Sequence, residues 1–134
     1  MTPLTLARAD ALADGVLRHA RSIDAAPLAV VVLDAGGHPV VVKREDGAGI
    51  LRFEIARAKA YGALGMGLSS REIGERADSY PAFFTSLAAV ADGRLAPAAG
   101  GILLRDDDGV VVGAVGVSGD TSDVDEDCIL AALS

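Results

Sequence analysis

Gly113–Asp125, GAVGVSGDTSDVD, ends an apolar run, bends through a glycine-bearing turn and enters an acidic helix start. The run it closes, Val110–Val117, is apolar throughout, as is Leu28–Leu33 (LAVVVL) earlier in the chain. A short apolar run bounded by turn residues reads as a strand covered on both faces, so both should be central in their sheet. Asp34–Gly37 then reverses the chain into a second strand, Pro39–Lys43, and Asp106–Gly109 is the hairpin turn from a strand at Gly100–Leu104 into Val110–Val117. The second strand ends in a comparable turn, Arg44-Glu45-Asp46-Gly47-Ala48, which leads into another helix.

Around these strands the helical pattern is clear. Leu4–Ser22 places Ala9, Leu12, Ala13, Val16, Ala20 and Ile23 on one side and Asp10, Asp14, Arg18 and Arg21 opposite. Ile50–Leu64 follows, with Ala56, Ala60 and Ala63 small enough for close approach to a sheet. Ser69-x-x-Glu72 has the form of a capping box and predicts a short helix. Pro81 opens an apolar helix through Ala88. A final helix, capped within Asp120–Asp127, with Ser122 or Asp123 as the capping residue, runs to Leu133. Two or three strands are expected after the middle helices. Two hairpins joined by helices exclude an all-parallel sheet. An antiparallel sheet fits, its first and last strands side by side at the centre and helices on both faces.

That topology predicts a convergence. With the central strands antiparallel, Arg44, Asp46 and Gly47 should meet Ser118, Gly119 and Asp120 at one edge of the sheet. The turns at Gly36-Gly37 and Asp106–Gly109 belong to the opposite edge. Gly47 and Gly119 let backbone approach a ligand, and Arg44 suits a carboxylate. The plainer alternative is a local Arg44–Asp46 ion pair that ties the turn.

Composition narrows the function. The 134 residues make one domain, 1–134, large enough to bury a core. Hydrophobic residues are 51% of the chain and aromatics 4%, so the core must be aliphatic. A net charge of -7 argues against nucleic acid, which demands clustered Lys and Arg. No apolar run approaches the roughly 20 residues of a membrane helix, and the first residues lack a signal-peptide pattern. We expect a cytoplasmic protein with no membrane partner. The lone Cys128, among Ile129, Leu130 and Leu133, reads as a small buried residue. No Ser-His-Asp set can be assembled from two scattered histidines, and GALGMG (Gly62–Gly67) lies at a helix end, not after the first strand.

VVLDAGGHPV (Val31–Val40), KREDGA (Lys43–Ala48), IARAKAYGA (Ile55–Ala63), GGILLRDDDGVVVGAVGVSG (Gly100–Gly119) and DEDCILAAL (Asp125–Leu133) together resemble the GlcG/HbpS-like family. That family includes haem-binding proteins and the C-terminal domain of PduO-type proteins. The resemblance spans nearly the whole chain in order. It implies a profilin-like α/β/α fold with a five-stranded antiparallel sheet, strand order 2-1-5-4-3. It also implies a homo-oligomer binding haem, iron or a related small molecule.

Against this background several residues become candidates. His19, at the border of the first helix's apolar stripe, is placed to offer an imidazole to haem iron in a groove between subunits; a partly buried structural histidine is the plainer reading. His38, in a hairpin turn, is expected to be solvated. The family's acidic D/E-x-x-E pattern occurs at Glu72–Glu75 and at Asp123–Glu126. Asp123 and Glu126, with Asp120, Asp125 and Asp127, offer oxygens to a hard cation, although carboxylates in a first helical turn are already favoured by the helix dipole. Lys59 is either a buried amine moving a proton or a snorkelling side chain that caps a carbonyl. The alternative to haem binding is an enzyme acting on a small carboxylated metabolite, with Arg44 holding the carboxylate and Asp46, Lys59 or Asp120 transferring a proton.

Overall fold

The computed structural model describes residues 3–134. Helix α1 (Leu6–Ser22) leads into strands β1 (Ala29–Asp34) and β2 (Pro39–Arg44), followed by helices α2 (Arg52–Met66), α3 (Ser70–Ser79) and α4 (Pro81–Val90). Strands β3 (Gly101–Arg105) and β4 (Val111–Ser118) and helix α5 (Ser122–Leu133) complete it. Helix starts follow local chemistry. The Thr5 hydroxyl accepts the Arg8 N–H at 3.1 Å, so α1 begins two residues later than its apolar periodicity predicts. Ser69 accepts the Glu72 N–H, while Glu72 takes the Ser69 hydroxyl proton rather than reaching a backbone amide. Pro81 opens α4. Thr121, not Ser122 or Asp123, caps α5, because its hydroxyl is the one that meets the Val124 N–H, at 3.3 Å.

The fold is mixed α+β with a single antiparallel sheet of four strands, ordered β2-β1-β4-β3, and five helices among the described residues. The expected fifth strand is absent from this sheet, and the expected order 2-1-5-4-3 falls with it. The stretch before β3 explains this. Pro97 has no amide to give a ladder, and Gly100 sits at φ 121, outside strand geometry. Pairing there is limited to the Val117 N–H donating to the Gly100 carbonyl.

The central pair is as the apolar runs demand. Ala29 lies opposite Arg44 on one side and opposite Ser118 on the other. Val30, Val32, Val115 and Val117 are fully buried under α1 and α5, each such side chain worth about 1.5–3 kcal/mol. Ala29, Val31, Leu33 and Ala114 face Ala56 and Ala60 of α2 on the other side. The small residues of α2 are matched by Gly101 and Gly116 in the sheet: a Cβ at Gly116 would collide with the Ala56 carbonyl, and one at Gly101 with that of Lys59. This intimacy sets what α2 can bury. No helix among the described residues is long and apolar enough to cross a membrane.

Candidate functional site

Because α2 lies almost on the sheet, Lys59 cannot reach solvent. Its side chain is 3% exposed, and Nζ donates to the Val117 carbonyl at 2.9 Å and to Asp125 Oδ2 at 3.2 Å. Asp125, 1% exposed, uses Oδ1 to accept the Asp120 N–H at 2.9 Å. Burial pulls the Lys59 amine below its ordinary value, against the attraction of Asp125. It pushes the Asp125 carboxyl up, against the Asp120 amide and the ammonium. The lysine does cap a carbonyl, but inward. A side chain at Gly100 would strike Nζ, so the amine's surroundings are closed.

The β4–α5 turn links this pair to the surface. Asp120 Oδ2 accepts the Ala26 N–H at 2.8 Å and Oδ1 the Thr121 N–H at 2.7 Å, and these amides hold its carboxyl below the ordinary value. The Ala26 carbonyl in turn accepts from Arg21 Nη2, and Arg21 Nε pairs with Glu45 at 3.0 Å. Glu45 accepts the Leu28 N–H at 2.8 Å. A continuous set of bonds therefore ties the ends of α1, β2 and β4 together. At Gly119 a Cβ would run into the Pro27 carbonyl, so glycine is needed for this closure.

Arg44, Asp46 and Gly47 stand at that same sheet end, across β1 from Ser118. Arg44 and Asp46 line a groove of about 440 Å³ with Arg21, Pro27 and Glu45. Ser118 and Gly119 are not in its lining. Ser118 is fully buried, and the guanidinium that reaches its hydroxyl, at 3.1 Å, is Arg52. Arg52 is the residue that the sequence reading missed. Its signal was available: a cation at the first position of a helix opposes the helix dipole and asks for a partner. Gly47, at φ 85, does make its turn.

Asp123 and Glu126 converge on one cation, Arg71, at 2.5 Å and 3.0 Å. No group of three or more His, Cys, Asp or Glu side chains able to hold a metal occurs among the described residues. His38 is 80% exposed with Nδ1 3.3 Å from Asp34 Oδ1. His19 is half-buried on α1, one turn beyond Gly15. There α1 and α5 touch through small residues: a Cβ at Gly15 would sit 3.2 Å from the Ala132 methyl, and Arg18 Nη2 lies 3.8 Å away. Cys128 is buried, its thiol pushed up by burial and nearby carboxylates.

The chain is similar to several solved structures. A crystal structure of a PduOC–haem complex superimposes with a TM-score of 0.88 at 25% identity, covering 98% of this chain and 94% of that one. Klebsiella pneumoniae protein ORFY gives 0.87 at 28%, covering 99% and 90%. HbpS gives 0.84 at 28%, covering 98% and 89%. No curated protein matches the sequence. The family described as haem degrading protein HbpS-like matches residues 4–134, and the chain belongs to that HbpS-like family.

Proposed function

We propose that this protein binds haem between copies of itself, with the His19 imidazole as the iron ligand. The observation that carries the reading is the position of His19: half-buried beside the low α1–α5 surface, whereas His38 is exposed. The surroundings suit a flat amphiphilic group. Gly15 and Ala132 keep the surface low, and Arg18 is at hand for a propionate. Leu133, beside Ala132 on α5, is 47% exposed, apolar area that a porphyrin and a second copy can cover. Bound haem supplies iron for ligand exchange or electron transfer. The chain's own residues supply an imidazole nitrogen, a cation and an exposed apolar surface. The kinship with a protein crystallised as a haem complex supports the same reading.

Haemin titration followed in the Soret region tests it. A stoichiometric band shift should appear in the wild type and in His38→Ala and be lost in His19→Ala. An unchanged shift in His19→Ala removes the proposed ligand. A second reading, an enzyme for a small carboxylated metabolite, draws on the groove where Arg44 opens beside Arg21. There Arg44 holds the carboxylate and Asp46 moves the proton; Asp120 lies outside the groove with both oxygens on backbone amides, and the Lys59 amine already donates to Val117 and Asp125. Undiminished affinity for a carboxylate ligand in Arg44→Ala rules that version out.

A further inference from the structure

On the other side of the sheet, α4 is an uncharged helix of which only Phe84 is buried. Between it and α2 lies a cleft of about 240 Å³, walled by Gly65 and Met66 of α2, Leu87 and Val90 of α4, and Leu95. Arg94 also lines it. Its guanidinium stacks 4.1 Å from the Tyr61 ring centroid, and its Nε donates to the Ala91 carbonyl at 3.0 Å. None of the ion pairs among the described residues involves Arg94. A positioned cation without an anion, in an otherwise apolar cleft, is the usual arrangement for orienting a small acid.

Gly65 adds an independent reason. It lies inside α2, where glycine weakens a helix relative to alanine. A neighbouring helical glycine, Gly62, has a packing cause, because a Cβ there would stand 2.7 Å from Leu95 Cδ1. At Gly65 a Cβ would meet nothing within 4 Å. No neighbour excludes a side chain there: Gly65 is exposed in the last turn of α2, and lacking a side chain it leaves that part of the cleft lining open. A second hollow of about 170 Å³, against the β1–β2 turn at Gly36 and Gly37, shares Tyr61 and Gly65 with the first.

We propose that the Tyr61–Gly65–Arg94 cleft is a binding site for a small monocarboxylate with an aromatic or short aliphatic body, distinct from the α1–α5 surface assigned to haem. The body lies over Gly65 against Met66, Leu87 and Val90, and the carboxylate meets Arg94. The volume is below the ~300–1,000 Å³ of sites for drug-sized ligands, so the ligand is of metabolite size.

Titration of the full chain with phenylacetate, followed by amide NMR shifts, tests this, with phenylacetamide as the neutral counterpart. The wild type should show saturable shifts at Gly62, Gly65 and Arg94 and prefer the acid. Arg94→Met should bind phenylacetate about tenfold more weakly and phenylacetamide unchanged. Gly65→Leu, whose Cβ enters open space, should fold with a raised unfolding midpoint and bind neither. Three results overturn the proposal: no saturable shifts at these residues, equal affinity for acid and amide in the wild type, or undiminished phenylacetate binding in Gly65→Leu.

Discussion

The first turns of α5 make three ion pairs to two cations, Lys59 and Arg71, and the two cations sit in different surroundings. Asp125 meets Lys59 with both partners sealed, 1% and 3% exposed. Asp123 and Glu126, on the same stretch of helix, meet Arg71, whose side chain is 44% exposed. Distances are comparable; solvent is not. For the inner pair, desolvation opposes both charges and each partner depends on the other. For the outer contact, water and salt already stabilise Arg71, 44% exposed, and Asp123, 78% exposed, when separated, so forming it adds little; Glu126, 11% exposed, is its sheltered member. Asp123 therefore sits on the exposed contact, while Asp125, two residues on, forms the sealed one.

The sharpest way to break this contrast is to remove one inner partner. Lys59→Met or Asp125→Leu should each cost about 3–5 kcal/mol in urea unfolding. The double variant, with no charge left to bury, should recover much of that. A double variant as unstable as the sum of the singles would mean that the two groups do not compensate each other. Next comes the cap common to both pairs: Thr121→Ala should cost about 1 kcal/mol, by freeing the Val124 amide. Smaller again is Arg71→Ala, which should cost under about 1 kcal/mol and less in added salt, the loss falling on Glu126, 11% exposed, and not on Asp123, 78% exposed.

Acid separates the inner carboxylates by sign. Asp120 is held below its ordinary 3.8, so its stabilisation is whole above that value and is lost as pH falls through the lowered one. Asp125 is held above 3.8, so the folded state keeps its proton more tightly, and stability falls as pH rises through that window. Stability measured from neutral pH downward should therefore decline less steeply in Asp120→Asn than in the wild type. An identical slope would mean that the Ala26 amide does not favour the Asp120 carboxylate.

Much of this was legible in local pattern. Leu28–Leu33 and Val110–Val117 read as central strands because no polar residue interrupts them, and the observed β1–β4 pairing follows. Caps were legible to within a residue, since several hydroxyls and carboxylates near 121–123 compete and only backbone geometry selects Thr121. The strand count was only partly legible: the apolar runs mark the four strands observed, and a definite fifth was implied by the family resemblance alone. The polar site was half legible. Topology brought Arg44 and Ser118 to one end of the sheet, but side-chain reach decides contacts, and there Arg52 succeeds. The closeness of α2, set by Gly101 and Gly116 far along the chain, turned Lys59 inward, which no local window shows.

The haem assignment rests on a single imidazole on α1, and chemical rescue addresses it directly. The spectrum of the His19→Gly protein with one equivalent of haemin should lose the wild-type Soret band and regain it when free imidazole is added. A His19→Gly protein that keeps the wild-type band without imidazole would contradict the account.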